Sequence, residues 1–373
     1  MKKLPQGKIK TGDFIIIGLT ALLVIFGTVM IFSASYYEAI NDGDGPYAYL
    51  KKQLIFVVTG AILMWITSQI DYHLWGKFYW ALYLAGFILL FLIFTPLGIY
   101  ENGATRWLGV EGIPFTIMPG ECAKFAAIVF TAGFLDRNPK LAENVWRGMM
   151  PVLAAAGLFA GLILKQPNLS TAITLMIIIW GMLLVAGADL KWLVGIVGGG
   201  IVGITLLIFA DTSGYWYKRM LSFLDPFEDV LGNGWQVVQG LLALGTGGLT
   251  GLGLGNSIQK NLYLPEPMTD FILAIIGEEL GFIGIILLMT VYLIFVWRGC
   301  YIAMNAPDFL GMMLASGITI MVGVQVAINV AVVTSSMPPT GVALPFISYG
   351  GNSLWIFMAS VGILLNISKK SNL

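Results

Sequence analysis

The residues best suited to chemistry lie in one long polar interruption, residues 211–270, of a chain that is otherwise largely apolar. The interruption ends in Leu264-Pro-Glu-Pro-Met-Thr-Asp270 and runs directly into a long apolar stretch. A loop of this length is costly to order and is uncommon without a function. We therefore expect any reaction to take place here, where charged groups meet the membrane. The charged side chains include Lys218, Arg219, Asp225, Glu228, Asp229, Lys260, Glu266 and Asp270.

Asp270 stands immediately before the apolar stretch, in the order Pro267-Met-Thr-Asp, which favours the start of a helix. One interpretation is structural, with Thr269 or Asp270 capping free N–H groups of the first turn. The other is functional, because the helix dipole lowers the pKa of a carboxylate here whereas burial raises it. Glu278 and Glu279 follow about two turns deeper, and their structural explanation is packing against a neighbouring helix or a backbone amide.

Four further charged residues fall inside apolar stretches, at their ends or just before them. Glu121 and Lys124 are three residues apart, so they share one face of a helix. Arg106 lies in the preceding loop, and Lys165 ends another stretch. A charge at the centre of a spanning helix costs roughly 2.5–3.5 kcal/mol, so such groups pair or line a cavity. A structural ion pair for Glu121 and Lys124 and a snorkelling role for Arg106 are the alternatives to a binding role.

The elements that position these residues must be membrane helices. The chain has 373 residues, of which 58% are hydrophobic and only 11% are charged, whereas a soluble domain carries roughly 25% charged residues. A net charge of zero argues against a nucleic-acid partner. One histidine and two cysteines leave no set of zinc ligands. The apolar run from Phe14 is too long for the core of a signal peptide, so we interpret it as a retained first span.

Apolar stretches of about 20 residues predict ten spans. The sequence therefore predicts an all-α integral membrane protein, a single-domain bundle of ten transmembrane helices over residues 1–373, with a large extracytoplasmic loop between spans 7 and 8. The predicted spans are 14–33, 54–70, 78–98, 121–136, 150–165, 170–187, 191–210, 271–297, 309–334 and 344–366.

The distribution of charge predicts the orientation of these spans. Ten spans put both ends of the chain on one side, and that side receives most lysines and arginines, among them Lys2, Lys3, Lys8, Lys10, Arg298, Lys369 and Lys370. The other side receives most carboxylates, among them Glu101, Glu111, Asp211, Glu266 and Asp270. The positive-inside rule then places both termini in the cytoplasm and the polar interruption outside the cell.

Eight motifs on the predicted outer side, in this order, resemble the SEDS family (shape, elongation, division and sporulation), which contains FtsW, RodA and SpoVE. The resemblance covers nearly the whole chain and is closer to the FtsW and SpoVE branch. The motifs are Asn102-Gly-Ala-Thr-Arg-Trp-Leu, Pro119-Gly-Glu-Cys-Ala-Lys124, Lys165-Gln-Pro-Asn-Leu-Ser-Thr171, Arg219-Met-Leu-Ser-Phe-Leu-Asp-Pro226, Gly232-Asn-Gly-Trp-Gln-Val-Val-Gln239, Gly253-Leu-Gly-Asn-Ser257, Leu264-Pro-Glu-Pro-Met-Thr-Asp-Phe271 and Leu344-Pro-Phe-Ile-Ser-Tyr-Gly-Gly351.

The resemblance implies a peptidoglycan glycosyltransferase of the bacterial cytoplasmic membrane that polymerises lipid II with inversion, in cell division or sporulation. It implies that Asp270 is the general base, and that a class B penicillin-binding protein is the partner. Mg²⁺ or Mn²⁺ is the implied cofactor, with no organic cofactor. The residues implied to bind lipid II or its pyrophosphate are Arg106, Glu121, Lys124, Lys165, Arg219, Gln239, Ser348 and Tyr349.

The sequence departs from the family pattern at several positions. Met268 stands where a histidine is usual, and Val230 replaces a common proline. Asn168 replaces an aspartate, and Ser170 a glycine. These departures keep a non-catalytic scaffold open as one alternative. A flippase or transporter of lipid-linked precursors is the other, because transporters also use intramembrane charges.

Overall fold

The computed structural model describes residues 12–101, 104–109, 116–210, 215–230, 232 and 234–371. The N-terminal lysines, Asn102, Glu111, Asp211 and Asn233 lie outside these residues. The helices are α1 (Phe14–Asn41), α2 (Ala48–Gln69), α3 (Tyr72–Lys77), α4 (Tyr79–Leu92), α5 (Pro119–Asp136), α6 (Met150–Leu164), α7 (Leu169–Val185), α8 (Leu190–Ala210), α9 (Tyr215–Leu224), α10 (Trp235–Gly247), α11 (Ile272–Met304), α12 (Phe309–Val333) and α13 (Gly351–Lys370). A 3₁₀ turn (Pro139–Glu143) and a π-helical turn (Val145–Met149) precede α6.

Each of the ten predicted spans contains one helix, although the helices differ in length. Six stretches have the length and apolar composition to cross a membrane, namely α1, α2, the continuous Val145–Leu164, α11, α12 and α13. Three others are apolar but shorter, namely α4, α7 and the Leu190–Gly203 part of α8. A polytopic helical membrane protein is therefore confirmed, and ten crossings stay a prediction.

The structure departs from the all-α prediction after α4. The predicted span 78–98 ends as a helix at Leu92, because Pro96 cannot continue the hydrogen-bond ladder. The chain then forms an antiparallel hairpin of β1 (Gly98–Glu101) and β2 (Ala104–Leu108). Leu108 also bridges to Ile117, just before α5. The hairpin therefore carries Arg106, which the sequence analysis placed in a loop.

The predicted loop 211–270 contains two helices rather than irregular chain alone. α9 carries Arg219, and α10 buries Val237, Val238 and Ala243 against the rest of the protein. α10 packs on α11, so the polar segment is folded back onto the bundle. Order in this segment thus comes from packing of its apolar residues.

The core is centred on α12, which packs against α5, α7, α11 and α13. Its side chains Leu314, Ile318, Met321 and Val322 are completely buried. Burial of each such side chain is worth about 1.5–3 kcal/mol in a soluble protein. Within a bilayer close packing replaces much of that driving force.

Both described ends of the chain lie at one end of the bundle, which we call the terminal end. Asp13 caps α1 by accepting from the Ile15 and Ile16 N–H groups, and its other carboxylate oxygen pairs with Arg298 of α11 at 2.6 Å. Its backbone N–H donates to the Ser368 hydroxyl of α13. Lys370 pairs with Asp71. α1 begins at the terminal end, and α11 and α13 finish there. The opposite ends of these three helices define the other end of the bundle, which we call the loop end. Asp270 lies at the loop end.

Candidate active site

Asp270 occupies the last turn of chain before α11, in a segment that apolar anchors hold in place. Leu264, Met268 and Phe271 are buried, whereas Asp270 itself is partly exposed. Met268, where the family usually has histidine, therefore serves as an anchor of this segment. The N-cap residue of α11 is Phe271, and it makes no side-chain cap bond. The structure thus does not support the N-cap explanation for Asp270.

Three hydrogen bonds hold the backbone carbonyls of Met268, Thr269 and Asp270, and a fourth ties the same Asn329 side chain to Val342. Asn329 of α12 donates its side-chain amide to the carbonyl oxygens of Asp270 and Val342, each at 2.8 Å. The Ser348 hydroxyl donates to the Thr269 carbonyl, and the Tyr349 N–H donates to Met268 at 2.8 Å. The carboxylate is therefore presented on a backbone that α12 and residues 342–349 hold rigidly.

The Thr269 hydroxyl lies between two carboxylates. Its Oγ1 is 3.1 Å from Oδ1 of Asp270 and 3.0 Å from Oε2 of Glu266. A hydroxyl has one proton to donate, so only one carboxylate receives it at a time. The two acidic groups are therefore close enough to affect each other's ionisation.

The surroundings of Asp270 raise its pKa to about 6. Burial is the largest cause, and the charge of Glu266 adds to it. The Thr269 hydrogen bond and the Arg219 guanidinium act in the opposite direction. A carboxylate with a pKa near 6 is ionised at neutral pH and is more basic than an ordinary aspartate, as general-base catalysis requires.

Residues 339–341 connect the neighbouring elements to Asp270. Arg219 of α9 donates to the Pro339 carbonyl at 2.8 Å, and Ser170 of α7 donates to the Thr340 carbonyl at 2.7 Å. A Cβ added to Gly341 would lie 3.8 Å from Oδ2 of Asp270, so the backbone approaches the carboxylate closely. Arg219 and the start of α7 thereby lie near Asp270, and a contact of Arg219 with the pyrophosphate stays a prediction.

Arg106 contacts the chain just before α7, the helix whose Ser170 binds Thr340. Its guanidinium donates to the Pro167 carbonyl at 2.9 Å. Asn168 then caps α7 by accepting from the Thr171 N–H, a role that an aspartate would also fill. Asn168, where the family usually has an aspartate, therefore keeps the helix cap but lacks the negative charge. Nε of Arg106 is buried and has no hydrogen-bond partner among the described residues.

Glu121 and Lys124 form a buried ion pair on α5, with 2.7 Å between Oε1 and Nζ. The structural alternative for this pair is thus supported. Oε2 of Glu121 is nevertheless buried without a partner among the described residues. Such an atom is costly unless a ligand or water satisfies it. The pair has no direct contact with Asp270 in the described hydrogen-bond network.

The remaining predicted binding residues differ in their surroundings. Lys165 is exposed at the end of α6, and Gln239 is buried in α10. Ser348 is occupied in the bonds to Thr269 and to the Leu344 N–H. The ring of Tyr349 packs edge-on against Tyr49, with centroids 5.4 Å apart. Their contact with a substrate stays a prediction.

Glu278 and Glu279 lie within α11 and hold residues 251–260, which we call the glycine-rich turn and which precede Asp270. Glu278 accepts from the Ile258 and Gln259 N–H groups at 3.0 and 3.2 Å, and Glu279 pairs with Lys260 at 2.8 Å. Directly after them, Gly281 adopts a φ of +68°, which breaks the helix. The expected structural role is confirmed for both glutamates.

A divalent cation has few candidate ligands here. The described residues contain no group of three or more His, Cys, Asp or Glu side chains that could hold a metal. Mg²⁺ is often held by one or two carboxylates together with substrate phosphates. Glu121, whose Oε2 has no partner among the described residues, fits that limited requirement and leaves the Asp270 carboxylate free to accept a proton.

Comparison with known proteins gives full-length matches. A family model described as "Cell cycle protein", for FtsW, RodA and SpoVE, matches residues 13–373. The "Probable peptidoglycan glycosyltransferase FtsW" of Geobacter sp. (strain M18) is 39% identical over 359 residues, covering 96% of this chain and 97% of that protein. Stage V sporulation protein E of Bacillus subtilis is 41% identical over 363 residues, with coverage of 96% and 97%.

Two solved structures have the same fold. One, from work titled "Structural coordination of polymerization and crosslinking by a peptidoglycan synthase complex", has a TM-score of 0.77 and 27% identity, and the match covers 97% of this chain and 98% of that one. The rod shape determining protein RodA of Thermus thermophilus has a TM-score of 0.70 and 25% identity, with coverage of 97% and 98%.

Proposed function

We propose that this chain, which belongs to the FtsW, RodA and SpoVE family, is a peptidoglycan glycosyltransferase that polymerises lipid II. The observation that carries the proposal is the Asp270 carboxylate, partly exposed on a rigid backbone and with a pKa of about 6. One carboxylate of this kind is what a single-base, inverting transfer requires.

In the proposed reaction, Asp270 takes the proton from the 4-hydroxyl of the acceptor sugar. The hydroxyl oxygen attacks the anomeric carbon of the donor, and the bond from that carbon to the undecaprenyl pyrophosphate breaks. An α-linked donor gives a β-1,4 product, so the configuration inverts. Inversion needs no covalent bond to the enzyme, and a second carboxylate nucleophile is unnecessary.

Cationic side chains stabilise the leaving pyrophosphate in this account. Arg219 is next to Asp270, and Arg106 reaches the same region through Pro167. Lys124 and Lys165 complete the proposed set, with Glu121 orienting Lys124. Preorganised charge of this kind acts strongly where water is excluded. A Mg²⁺ or Mn²⁺ ion held by Oε2 of Glu121 and by the substrate phosphates would neutralise further charge on the pyrophosphate.

The proposal includes the setting of the reaction. Ten helices cross the cytoplasmic membrane as one domain, both termini face the cytoplasm, and the loop end faces outward. A class B penicillin-binding protein is the proposed partner, because a similar fold occurs in a peptidoglycan synthase complex. The reaction serves division or sporulation, the roles carried in the names of its relatives.

The experiment is polymerisation of purified lipid II by the full chain copurified with its class B partner, with Mg²⁺, Mn²⁺ or a chelator. Glycan strands support the proposal, and dependence on the cation supports the metal assignment. Absence of strands, while a known family member produces them in the same assay, would favour the scaffold or the flippase.

A further inference from the structure

Residues 339–342 form an irregular stretch between α12 and α13 whose backbone is held by side chains from three helices. The hydrogen bonds run from Arg219 of α9 to the Pro339 carbonyl at 2.8 Å, from Ser170 of α7 to the Thr340 carbonyl at 2.7 Å, and from Asn329 of α12 to the Val342 carbonyl at 2.8 Å. Two consecutive prolines, Pro338 and Pro339, restrict the backbone further, because each ring fixes φ. The stretch therefore holds its side chains in fixed positions.

The Thr340 side chain on this stretch carries a hydroxyl that the described residues leave unsatisfied. Its Oγ1 is buried and has no hydrogen-bond partner among them, although the side chain as a whole is partly exposed. A β-branched side chain on a fixed backbone has few rotamers, so the position of the hydroxyl is limited. A buried hydroxyl without a partner is unfavourable, and such a group marks a place where a water or a ligand binds.

Thr340 lies between a cation and the carboxylate of the candidate active site. Its predecessor Pro339 accepts from Arg219. Its successor Gly341 is exposed, and a Cβ added there would lie 3.8 Å from Oδ2 of Asp270. Consecutive Cα atoms are about 3.8 Å apart, so both contacts lie within one residue of Thr340. A ligand that reaches the Asp270 carboxylate therefore comes close to the Thr340 side chain.

The chemistry of the proposed reaction decides which group meets this hydroxyl. The acceptor sugar gives its hydroxyl proton to Asp270. The leaving pyrophosphate gains negative charge, because the electron pair of the breaking bond stays on the phosphate oxygen. A fixed hydrogen-bond donor has its largest effect on an atom whose negative charge grows in the transition state. The neighbouring Arg219 guanidinium also favours an anion at this place.

We propose that the Thr340 hydroxyl donates a hydrogen bond to a phosphate oxygen of the leaving undecaprenyl pyrophosphate, and that Ser170 is a positioning residue that acts through the Thr340 carbonyl. This role rests on the proposed glycosyl transfer. Thr340 keeps its own proton throughout, since the proton of the acceptor goes to Asp270. Ser170 stands where the family usually has a glycine, which has no side chain to hold Thr340 in this way.

Thr340→Val tests the hydroxyl, because valine keeps the branched shape and lacks the donor. With lipid II and the copurified partner, we expect kcat to fall about a hundredfold and KM to change less. Thermal stability should be unchanged or higher, since a methyl group replaces a buried hydroxyl that has no described partner. The pH–rate midpoint should stay at the wild-type value, because Thr340 is not among the groups that shift the Asp270 pKa. A wild-type kcat would refute the role of this hydroxyl.

Two further variants separate the hydroxyl from general effects of substitution. Thr340→Ser restores the donor and should recover most of the lost kcat. Thr334→Val is the matched control at the same end of the protein, because the exposed Thr334 hydroxyl is already bonded to the Val330 carbonyl at 2.8 Å. This control should keep the kcat of the wild type. Equal kcat values for Thr340→Ser and Thr340→Val would contradict the assignment of the hydroxyl.

A binding measurement checks the same contact without turnover. Undecaprenyl pyrophosphate added in detergent should raise the unfolding temperature of the wild type more than that of Thr340→Val. Undecaprenol, which lacks the pyrophosphate, should affect both proteins equally. If undecaprenyl pyrophosphate also shifts both proteins equally, Thr340 does not contact the phosphate.

Ser170 is tested by a double-mutant cycle. Ser170→Ala should lower kcat about tenfold, because the Thr340 carbonyl loses its donor and the hydroxyl is held less firmly. In the Thr340→Val background the same change should lower kcat by no more than about twofold, since no hydroxyl is left to position. Equal effects in the two backgrounds would show that Ser170 does not act through Thr340.

The outcomes also separate this role from the glycosyl transfer on which it rests. Absence of strands from the wild type, while a known family member produces them, would refute the transfer and the role together. Strands from the wild type with an equal kcat for Thr340→Val would refute only the role of Thr340.

Discussion

At the scale of single residues, opposing effects set the pKa of the Asp270 carboxylate. Burial and the Glu266 charge raise its pKa to about 6, while Thr269 and Arg219 lower it. A general base works only when it is unprotonated. The rate of polymerisation should therefore rise with pH through about 6 and fall below it, because the protonated carboxyl cannot accept a proton.

Substitutions at two residues beside Asp270 should move the midpoint of the pH–rate curve in opposite directions. Glu266→Gln removes a charge that raises the Asp270 pKa, so the midpoint should move to lower pH. Thr269→Val removes a hydrogen bond that favours the ionised form, so the midpoint should move to higher pH. The measurement is the initial rate between pH 5 and 8. Midpoints that coincide in both variants and the wild type would show that another group titrates.

Asn329 is expected to matter for both stability and activity. Asn329→Leu leaves the carbonyls of Asp270 and Val342 without their donor, at a cost of about 1–3 kcal/mol for each buried group. The matched control is Asn366→Leu at the terminal end, which also breaks two buried hydrogen bonds, to Tyr72 and Ser68.

Both asparagine variants should lose thermal stability, measured in detergent by the fraction that remains folded on heating. Only Asn329→Leu should also lose activity per folded molecule, because only that residue positions Asp270. Equal activity of the two folded variants would refute the positioning role of Asn329.

The sequence placed Asp270 and Arg219 in one polar segment, and the structure brings the two side chains close enough for the Arg219 charge to lower the Asp270 pKa. It did not identify Asn329, which is 59 residues away from Asp270 and depends on tertiary packing. A signal was present, since an asparagine amid the apolar residues of α12 needs a partner inside the membrane.

At the scale of elements, α11 is two helices joined at Gly281. The break lets the glycine-rich turn sit against Glu278 and Glu279, and a Cβ on Gly281 would lie 2.3 Å from the Gly251 nitrogen. Sequence hydropathy predicted one continuous span here, since a single glycine does not interrupt an apolar pattern. The hairpin after α4 was missed for a similar reason, because Gly98 and its neighbours continue the apolar run.

Gly281→Ala should therefore destabilise the protein more than an ordinary helix substitution. At φ +68° and ψ −171°, Gly281 is in a backbone region essentially restricted to glycine, which costs a residue with a Cβ roughly 1–3 kcal/mol. The contact with Gly251 adds to that cost. Gly157→Ala on α6 is the control, because no atom lies within 4 Å of its added Cβ. Thermal unfolding should show a clear loss of stability for Gly281→Ala and no loss of stability for Gly157→Ala. Equal stability would mean that the break tolerates a side chain.

At the scale of the whole molecule, ion pairs gather the two chain ends at the terminal end. Asp13 with Arg298, and Asp71 with Lys370, join α1, α11, α13 and the end of α2. This arrangement agrees with the even number of spans predicted from the sequence. That prediction came from composition, in which apolar length and charge bias are summed over many residues, and ten crossings stay a prediction.

The proposed orientation is testable with single cysteines, in a chain whose Cys122 and Cys300 are changed to serine. Asp44→Cys, exposed at the loop end, should react with a membrane-impermeant maleimide in intact cells. Glu143→Cys, also exposed and predicted to be cytoplasmic, should react only after lysis. The reverse pattern would invert the topology and place Asp270 inside the cell.

The most direct test of the central claim is lipid II polymerisation by Asp270→Asn beside Asp225→Asn, each copurified with the class B partner. Asp225 is an exposed carboxylate in the same polar segment, so it controls for loss of charge. When the two variants are equally stable to heating, we predict that Asp225→Asn makes glycan strands and that Asp270→Asn makes none. Strands of normal length and rate from Asp270→Asn would contradict its role as the general base.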